Sequence, residues 1–239
     1  MITGLSVCPS SVVVLLSGGV DSTTVLADVL EHEPSKVAAV SFQYGQIHAV
    51  EIESAAMVAD YYEVPHFIMQ VPGVFSKSPL IRIANQKIPV GEDPHREGIA
   101  DTYVPRRNTV LLALAAAFAE QQGLRGVAFG AHQTDSNYPD CTPDFANAVN
   151  QMLIIGSQPE ERITLYAPII YMTKAEVLLR AIELEAPIGI THSCYRGQSP
   201  ACGICDTCQI RIEAFKQIGI IDPIDYAIDI DWGDAVPLE

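Results

Sequence analysis

The chain has 239 residues, of which 49% are hydrophobic, with a mean hydropathy of +0.20 and a formal net charge of −15. That length and composition fit one sizeable domain with a small appendage, and the acidic balance argues against the broad basic surface that a nucleic-acid partner needs. No stretch of about 18 uncharged apolar residues occurs, and residues 1–11 lack the features of a signal peptide, so we expect a cytoplasmic protein without a membrane-spanning helix.

A glycine-rich loop follows the first predicted strand, residues 12–16, and leads into a predicted helix over residues 21–31. The loop reads Ser17-Gly18-Gly19-Val20-Asp21-Ser22. Two adjacent glycines let the backbone approach a ligand closely, and backbone N–H groups at a helix N-terminus suit an anion such as a phosphate. The Walker and Rossmann glycine patterns are both absent. The alternative is an ordinary turn in which Ser17 or Asp21 caps the helix.

Apolar strand-like runs alternate with helical patterns along the first three quarters of the chain. This alternation predicts an α/β fold, a parallel sheet with helices on both faces, whose ligands bind beyond the carboxyl ends of the strands. Residues 72–104 interrupt the pattern with prolines and glycines and predict a lid-like insertion. We predict a main α/β domain that carries the glycine loop over 1–186 and a C-terminal segment over 187–239. The further strands are predicted at 37–42, 67–71, 127–130 and 163–166, and the further helices at 48–61, 108–122, 143–155 and 174–185.

Four of the six cysteines are clustered near the C-terminus, as Cys194-x7-Cys202-x2-Cys205-x2-Cys208. Four thiolates at such spacing predict one closed, tetrahedral structural zinc site per chain. Disulfides are disfavoured because a cytoplasmic chain keeps its thiols reduced. An iron–sulfur cluster is the alternative, although the bacterial ferredoxin spacing is not matched.

The C-terminal tail combines an apolar stretch with several acids. Residues 218–224 are a candidate dimer interface. The aspartates of the tail are interpreted as a solvated, solubilising edge; they are Asp222, Asp225, Asp229, Asp231 and Asp234.

Four further polar segments stand near predicted strand or helix ends, and each taken alone fits an ordinary turn or cap. The first is Tyr44-Gly45-Gln46-Ile47-His48, and the second is Arg106-Arg107-Asn108-Thr109, in which Asn108 could cap a helix. The third is the loop over residues 131–141. The fourth is Lys174, whose cation at a helix start opposes the helix dipole and so indicates a facing anion.

Taken in order and together with the four cysteines, these motifs resemble the 7-cyano-7-deazaguanine synthase family of the PP-loop ATP pyrophosphatase superfamily, from residue 12 to about residue 215. The resemblance implies ATP-dependent conversion of 7-carboxy-7-deazaguanine and ammonia into a nitrile, through adenylated intermediates, in queuosine and archaeosine precursor synthesis. It implies ATP and Mg²⁺ as cofactors beside Zn²⁺, a small-molecule substrate, and neither a nucleic-acid nor a membrane partner. Because no separate glutaminase domain fits in this length, free ammonia is the expected nitrogen donor.

The resemblance also implies roles for individual residues. Asp21 is a candidate Mg²⁺ ligand, Asp140 a candidate reader of the base, and Arg196 a further candidate partner for the carboxylate or phosphates. The nucleotide-binding residues are Leu16, Ser17, Gly18, Gly19, Val20, Asp21, Ser22, Thr23 and Thr24. The catalytic candidates are Ser17, Asp21, Ser22, Arg107 and Lys174. The substrate-binding candidates are Tyr44, Gln46, His48, Asn108, Asp135, Tyr138 and Asp140, with Tyr44 or Tyr138 stacking on the base.

Three other interpretations remain at this point. A related PP-loop enzyme could thiolate transfer RNA, but the net charge of −15 argues against an RNA surface. A second enzyme could use the same loop to adenylate a carboxylate and stop at an amide. A zinc-stabilised nucleotide-binding module without activity is the third, and ATP turnover separates it from the enzymes.

Overall fold

The structure is a computed structural model. It describes residues 4–46, 50–71, 73–81, 86–91, 93, 95, 97–132 and 138–238. The predicted substrate-binding residues His48 and Asp135 lie outside the described residues.

A five-stranded parallel sheet forms the centre of the molecule, with strand order β3-β2-β1-β4-β5. The predicted α/β fold is therefore confirmed. The central strand β1 pairs with β2 on one side and β4 on the other, so the chain reverses its winding direction at β1. Ligands of such sheets bind in the crevice at this point. The strands are β1 (Ser11–Leu15), β2 (Lys36–Gln43), β3 (His66–Gln70), β4 (Gly126–Ala128) and β5 (Thr164–Tyr166).

Helices cover both faces of the sheet. One apolar layer contains side chains of α3 and α4, and the other contains side chains of α1, α2, α5 and α6. Across the part of the chain that the structure describes, every helix is too short or too polar to span a bilayer. The helices are α1 (Val20–Glu31), α2 (Val50–Tyr61), α3 (Arg107–Gln121), α4 (Pro143–Gly156), α5 (Lys174–Glu183) and α6 (Asp206–Ile218).

Strand β1 illustrates how the sequence produces these layers. Side chains alternate between the two faces of a strand. Val13 accordingly packs in the layer of α3 and α4, whereas Val12 and Val14 pack in the opposite layer. All three are fully buried, and each stabilises the fold by about 1.5–3 kcal/mol relative to an exposed position. The buried strand fixes the position at which the glycine loop begins.

The segment over residues 72–104 contains no regular helix or strand among its described residues, apart from an isolated bridge between Ile81 and Gln46. It still packs against the protein, because Phe75 and Val104 are buried in the layer of α3 and α4. Its role as a lid stays a prediction.

The C-terminal segment adds α6 to the face that carries α1 and α5, with Phe215 fully buried there. A two-stranded parallel sheet follows, β6 (Ile220–Ile221) with β7 (Val236–Pro237), which the sequence did not predict. Ile218 packs against the same apolar layer, and a dimer interface over residues 218–224 stays a prediction.

One interpretation of the acidic tail is wrong. Asp222 was expected on a solvated edge, but it is only 4% exposed. Its carboxylate forms a bidentate ion pair with the buried guanidinium of Arg211, and this pair replaces the lost hydration. Composition does not distinguish one buried acid from the exposed acids around it.

Candidate active site

A cavity lies beyond the carboxyl ends of β1, β2 and β4, where the sheet changes its winding direction. Segments 15–22, 40–46 and 129–131 line it from the sheet, while α3, the start of α5 and residues 192–195 close its sides. Its lining includes Leu16, Ser17, Gly19, Val20, Asp21, Ser22, Tyr44, Gln46, Glu51, Arg107, Asn108, Tyr138, Cys141, Lys174, His192, Ser193, Cys194 and Tyr195.

The glycine loop is held in shape by its two serines. The backbone N–H of Ser17 donates to Ser22 Oγ at 3.1 Å, and the two hydroxyl oxygens are 3.0 Å apart. Ser22 Oγ in turn donates to the carbonyl of Gly19 at 3.0 Å. Gly19 is the residue before α1, and no side chain caps the helix there. The alternative that Ser17 or Asp21 caps α1 is therefore wrong. The first residues of α1, Val20, Asp21 and Ser22, line the cavity, and an uncapped helix start at a cavity suits an anion.

Gly18 occupies a position that only glycine fits. Its φ is +83°, and an added Cβ would lie 2.4 Å from the carbonyl oxygen of Glu51 in α2. On the other side, the N–H of His192 donates to the carbonyl of Gly18 at 2.8 Å. The loop is therefore held between α2 and the segment that precedes Cys194.

Asp21 is the second residue of α1 and has two basic neighbours. The ammonium of Lys174 contacts one of its carboxylate oxygens, and His132 Nε2 is 3.7 Å from the other. Burial alone would raise the pKa of Asp21, but Lys174 and His132 hold it well below its ordinary value. The carboxylate is thus ionised, which suits a role beside a cation.

Arg107 supplies a second cation on the opposite wall. Burial alone would lower the pKa of its guanidinium, but the hydroxyl of Tyr44 and other acidic groups nearby, Tyr138 and Tyr195 among them, raise it. Glu51 also faces Arg107, and burial raises the pKa of this carboxyl although the guanidinium opposes the shift. The cavity is therefore lined by two basic side chains, Lys174 beside the loop and Arg107 beside the tyrosines.

Asn108 and Asp140 form a buried pair behind Arg107. The backbone N–H of Asn108 donates to Asp140 Oδ2 at 3.1 Å, and the Asn108 amide donates to the Asp140 carbonyl at 3.0 Å. Asn108 is the second residue of α3 and not its cap, because the N-cap is Arg106 with φ +62°. The Asp140 carboxylate thus satisfies an N–H group of the first turn of α3.

Two other predicted substrate residues have defined contacts. Tyr138 is buried, with its hydroxyl 2.6 Å from Thr102 Oγ1 and its ring 5.7 Å from that of Tyr103. Gln46 closes the turn after β2, since its side chain accepts from the N–H of Tyr44 at 2.8 Å and donates to the carbonyl of Phe42 at 2.9 Å. Both still line the cavity.

The four clustered cysteines could hold a metal ion. Their ligand atoms all lie within 4.8 Å of one another, and all four residues are buried. The Cys202 and Cys208 sulfurs are 3.9 Å apart, close to the separation of about 3.8 Å between thiolates that each lie about 2.3 Å from one zinc ion. Cys194 also lines the cavity, so the metal site and the candidate active site share a wall.

Most of the predicted site residues lie together around this cavity, but their roles stay predictions. Gly18 does not line it because it packs against α2, and Asp140 does not because it packs behind α3. Thr23 and Thr24 are buried inside α1, where Thr24 Oγ1 donates to the carbonyl of Val20. Arg196 is not among the lining residues.

The sequence interpretation missed Glu51, His132 and Ser193 as site residues. Glu51 lies in the first turn of α2, where a solvated acid is common. His132 is the fourth residue after β4, inside the polar loop 131–141 that was singled out from the sequence without a role for this residue. Ser193 precedes a cysteine that was read only as a metal ligand.

The parallel sheet, with the glycine loop and an uncapped helix start at its switch point, defines an α/β protein with a PP-loop type of fold. Residues 11–219 match the family model described as queuosine biosynthesis protein QueC. The chain therefore belongs to the QueC family.

Curated relatives cover nearly the whole chain. A protein named 7-cyano-7-deazaguanine synthase from Thermoplasma volcanium is 39% identical over 226 residues, which is 92% of each chain. Proteins of the same name are 41% identical in Persephonella marina, over 90% of this chain and 96% of the relative, and 41% identical in Aquifex aeolicus, over 87% and 97%.

Proposed function

We propose that this protein is a 7-cyano-7-deazaguanine synthase, which converts 7-carboxy-7-deazaguanine, ammonia and two ATP into the nitrile, two AMP and two pyrophosphate. The observation that carries the proposal is the pairing, inside one cavity, of an anion-binding loop with a separate cation, Arg107. A reaction that joins a nucleotide to a carboxylate needs one anion site for each reactant. The name shared by the curated relatives supports this choice of substrate.

The loop and Lys174 would act on ATP. A substrate carboxylate oxygen attacks the α-phosphorus, the bond to the bridging oxygen breaks, and pyrophosphate leaves. The N–H groups at the start of α1, the hydroxyl of Ser17 and the ammonium of Lys174 would hold the charge that accumulates on this leaving group. When bound, Mg²⁺ would neutralise phosphate charge, and the ionised Asp21 would hold it directly or through water.

Arg107 would orient the substrate carboxylate. Its planar guanidinium can hold one carboxylate oxygen while the other attacks the nucleotide. Ammonia then attacks the adenylated carbon, and AMP leaves to give an amide. A second adenylation, on the amide oxygen, followed by loss of AMP and protons, gives the nitrile.

The base would lie against the part of the cavity that Tyr44, Tyr138 and Tyr195 line. Tyr44 or Tyr138 presents a ring on which a deazaguanine could stack. Carboxylates are the natural acceptors for its ring N–H and amino groups. Glu51, which lines the cavity, joins the predicted Asp135 and Asp140 as a candidate for this contact.

The cysteine cluster would hold one structural zinc ion. Four buried thiols leave no open coordination position for a substrate. The ion would fix the cavity wall at Cys194 and the start of α6, and would take no part in the chemistry. Metal analysis by mass spectrometry tests this, and iron with acid-labile sulfide in place of zinc would contradict it.

The test of the whole proposal is product analysis by mass spectrometry from purified protein, ATP, Mg²⁺, ammonium and 7-carboxy-7-deazaguanine. We expect the nitrile together with AMP. Accumulation of the amide alone would support the second candidate, an enzyme that adenylates the same carboxylate and stops there. Unchanged base in the presence of bound ATP would overturn the substrate. The predicted homodimer is checked on the same sample by light scattering.

A further inference from the structure

The buried side chain of Arg211, on the inner face of α6, is used by none of the steps above. We propose that Arg211 is a positioning residue for the glycine loop: it holds residues 191–193 against Gly18 and so sets the geometry in which the loop binds ATP. The reference to ATP rests on the proposed function. The contact of residues 191–193 with the glycine loop does not depend on that function.

Arg211 is 1% exposed, and its side chain bridges two parts of the chain. Toward the tail, Nε and Nη2 donate to the two carboxylate oxygens of Asp222 at 2.6 and 2.8 Å. Toward the cavity, Nη1 donates to Thr191 Oγ1 at 2.8 Å and to Ser193 Oγ at 3.4 Å. A buried guanidinium requires a counter-charge and a rigid set of acceptors, so these groups are held in one arrangement.

The segment that Arg211 holds lies directly on the glycine loop. Between its two hydroxyl-bearing neighbours, His192 donates its backbone N–H to the carbonyl of Gly18 at 2.8 Å. The carbonyl oxygen of His192 is 3.5 Å from the point where a Cβ on Gly19 would stand. A shift of residues 191–193 therefore has to move the loop.

A different role would be purely structural: Arg211 could serve only to anchor the acidic tail. The two roles separate along the network, because Thr191 lies on the loop side of Arg211 and Tyr226 lies on the tail side. The Tyr226 hydroxyl donates to Asp222 Oδ2 at 2.7 Å, on the side of Arg211 that faces the tail. Neither residue is among those that line the cavity.

The experiment compares Thr191→Val with its matched control Tyr226→Phe, since each removes one hydroxyl from the same buried network. Thermal unfolding reports the loss of stability in both. Hydrogen exchange of the peptide that covers residues 15–22 reports the loop without any ligand. Calorimetric titration with α,β-methylene-ATP, which cannot be cleaved at the reacting position, reports nucleotide affinity separately from catalysis.

We expect Thr191→Val to speed exchange in the loop and to raise the Kd for the nucleotide about five- to tenfold. This is less than the full effect of losing a hydrogen bond to a charged group, because the loop is affected only through residues 191–193. Tyr226→Phe should lower the melting temperature while both loop readouts stay at the wild-type value. Equal loop exchange in the two variants overturns the positioning role. If the wild-type protein binds no nucleotide, the proposed function fails, and the exchange comparison alone decides the role of Arg211.

Discussion

Lys174 begins α5, where its positive charge opposes the helix dipole. A capping box formed by Thr173 and Glu176 stabilises the same helix start, so the lysine is not needed there for the helix. Its ammonium instead contacts the carboxylate of Asp21, in the first turn of the helix that follows the glycines. A side chain that is unfavourable for its helix and directed at the cavity indicates a functional constraint.

We therefore predict that Lys174→Met lowers kcat/KM for ATP by about 10- to 100-fold, because it removes a charge-assisted interaction worth about 1.5–3 kcal/mol. Steady-state kinetics with ATP varied and the base in excess measures this. Lys36→Met is the control, since Lys36 is exposed, donates to the carbonyl of Gln122 and begins β2 at the end of the strand away from the cavity. Equal activity in the two variants would remove Lys174 from the nucleotide site.

His66, a half-buried histidine near the glycine loop, should make the free energy of unfolding depend on pH. His66 Nε2 is 2.7 Å from Ser41 Oγ, which donates to the carbonyl of Leu16 just before the loop. Burial lowers the pKa of His66 below its ordinary value. The unfolded chain therefore binds this proton more readily than the folded protein, and the free energy of unfolding should fall as pH drops through about 6.5.

Urea denaturation at about pH 7.5, 6.5 and 5.5 checks the sign, since these values bracket the ordinary pKa of histidine. His66→Gln should flatten the difference between the last two pH values, because the contribution of His66 is lost mainly below its unfolded pKa and glutamine carries no titrating group. An unchanged slope in the variant would assign the pH dependence to other groups.

At the scale of elements, the junction of β1, the glycine loop and α1 depends on how closely α2 approaches the loop. Gly18 has a φ of +83°, and a Cβ there would lie 2.4 Å from one backbone atom of α2 and 2.6 Å from another. Backbone atoms of a helix cannot yield as a flexible side chain can. The loop would have to move away from α2 and out of its anion-binding shape.

Gly18→Ala is accordingly predicted to abolish measurable ATP turnover. Gly123→Ala is the matched control, because Gly123 follows α3 with a φ of +67° and has nothing within 4 Å of an added Cβ. It should cost only the left-handed backbone strain, about 1 kcal/mol in the free energy of unfolding, and keep wild-type kinetics. Full turnover in Gly18→Ala would mean that the loop does not bind the nucleotide.

Elements with a local apolar pattern were predictable from the sequence, and contacts between distant elements were not. The strands and helices of the sheet were predicted to within two or three residues because their apolar periodicity is local. The ion pair of Arg211 with Asp222 was not predicted. Arg211 lies on a helix whose polar residues show no unusual spacing, and Asp222 lies among other acids in the sequence. Glu51 was missed for a similar reason: only the folded chain brings the first turn of α2 to face Arg107.

At the scale of the whole molecule, the cysteine cluster joins three regions that are distant in sequence. Cys194 belongs to the cavity wall, and Cys205 is the residue before α6, which packs on α5. Ile88 of the 72–104 segment packs against the cluster, and the N–H of Gly91 donates to the carbonyl of Ile204 at 3.2 Å. Four buried thiols without a metal would bring only weak hydrogen bonds to this junction, so we infer that the proposed zinc ion would hold it together.

Metal removal should therefore affect the active site although the metal is not part of the chemistry. Chelation under reducing conditions, or Cys202→Ser, is expected to lower the melting temperature and to raise the Kd for the base, because the wall at Cys194 and Tyr195 loses its anchor. Metal content, thermal unfolding and titration with the base are measured on one preparation. Cys8→Ser is the control, since Cys8 is half-buried and lies outside the cluster. A metal-free protein that melted and bound the base as the wild type does would show that packing alone maintains the wall, and the ion would then have no part in shaping the cavity.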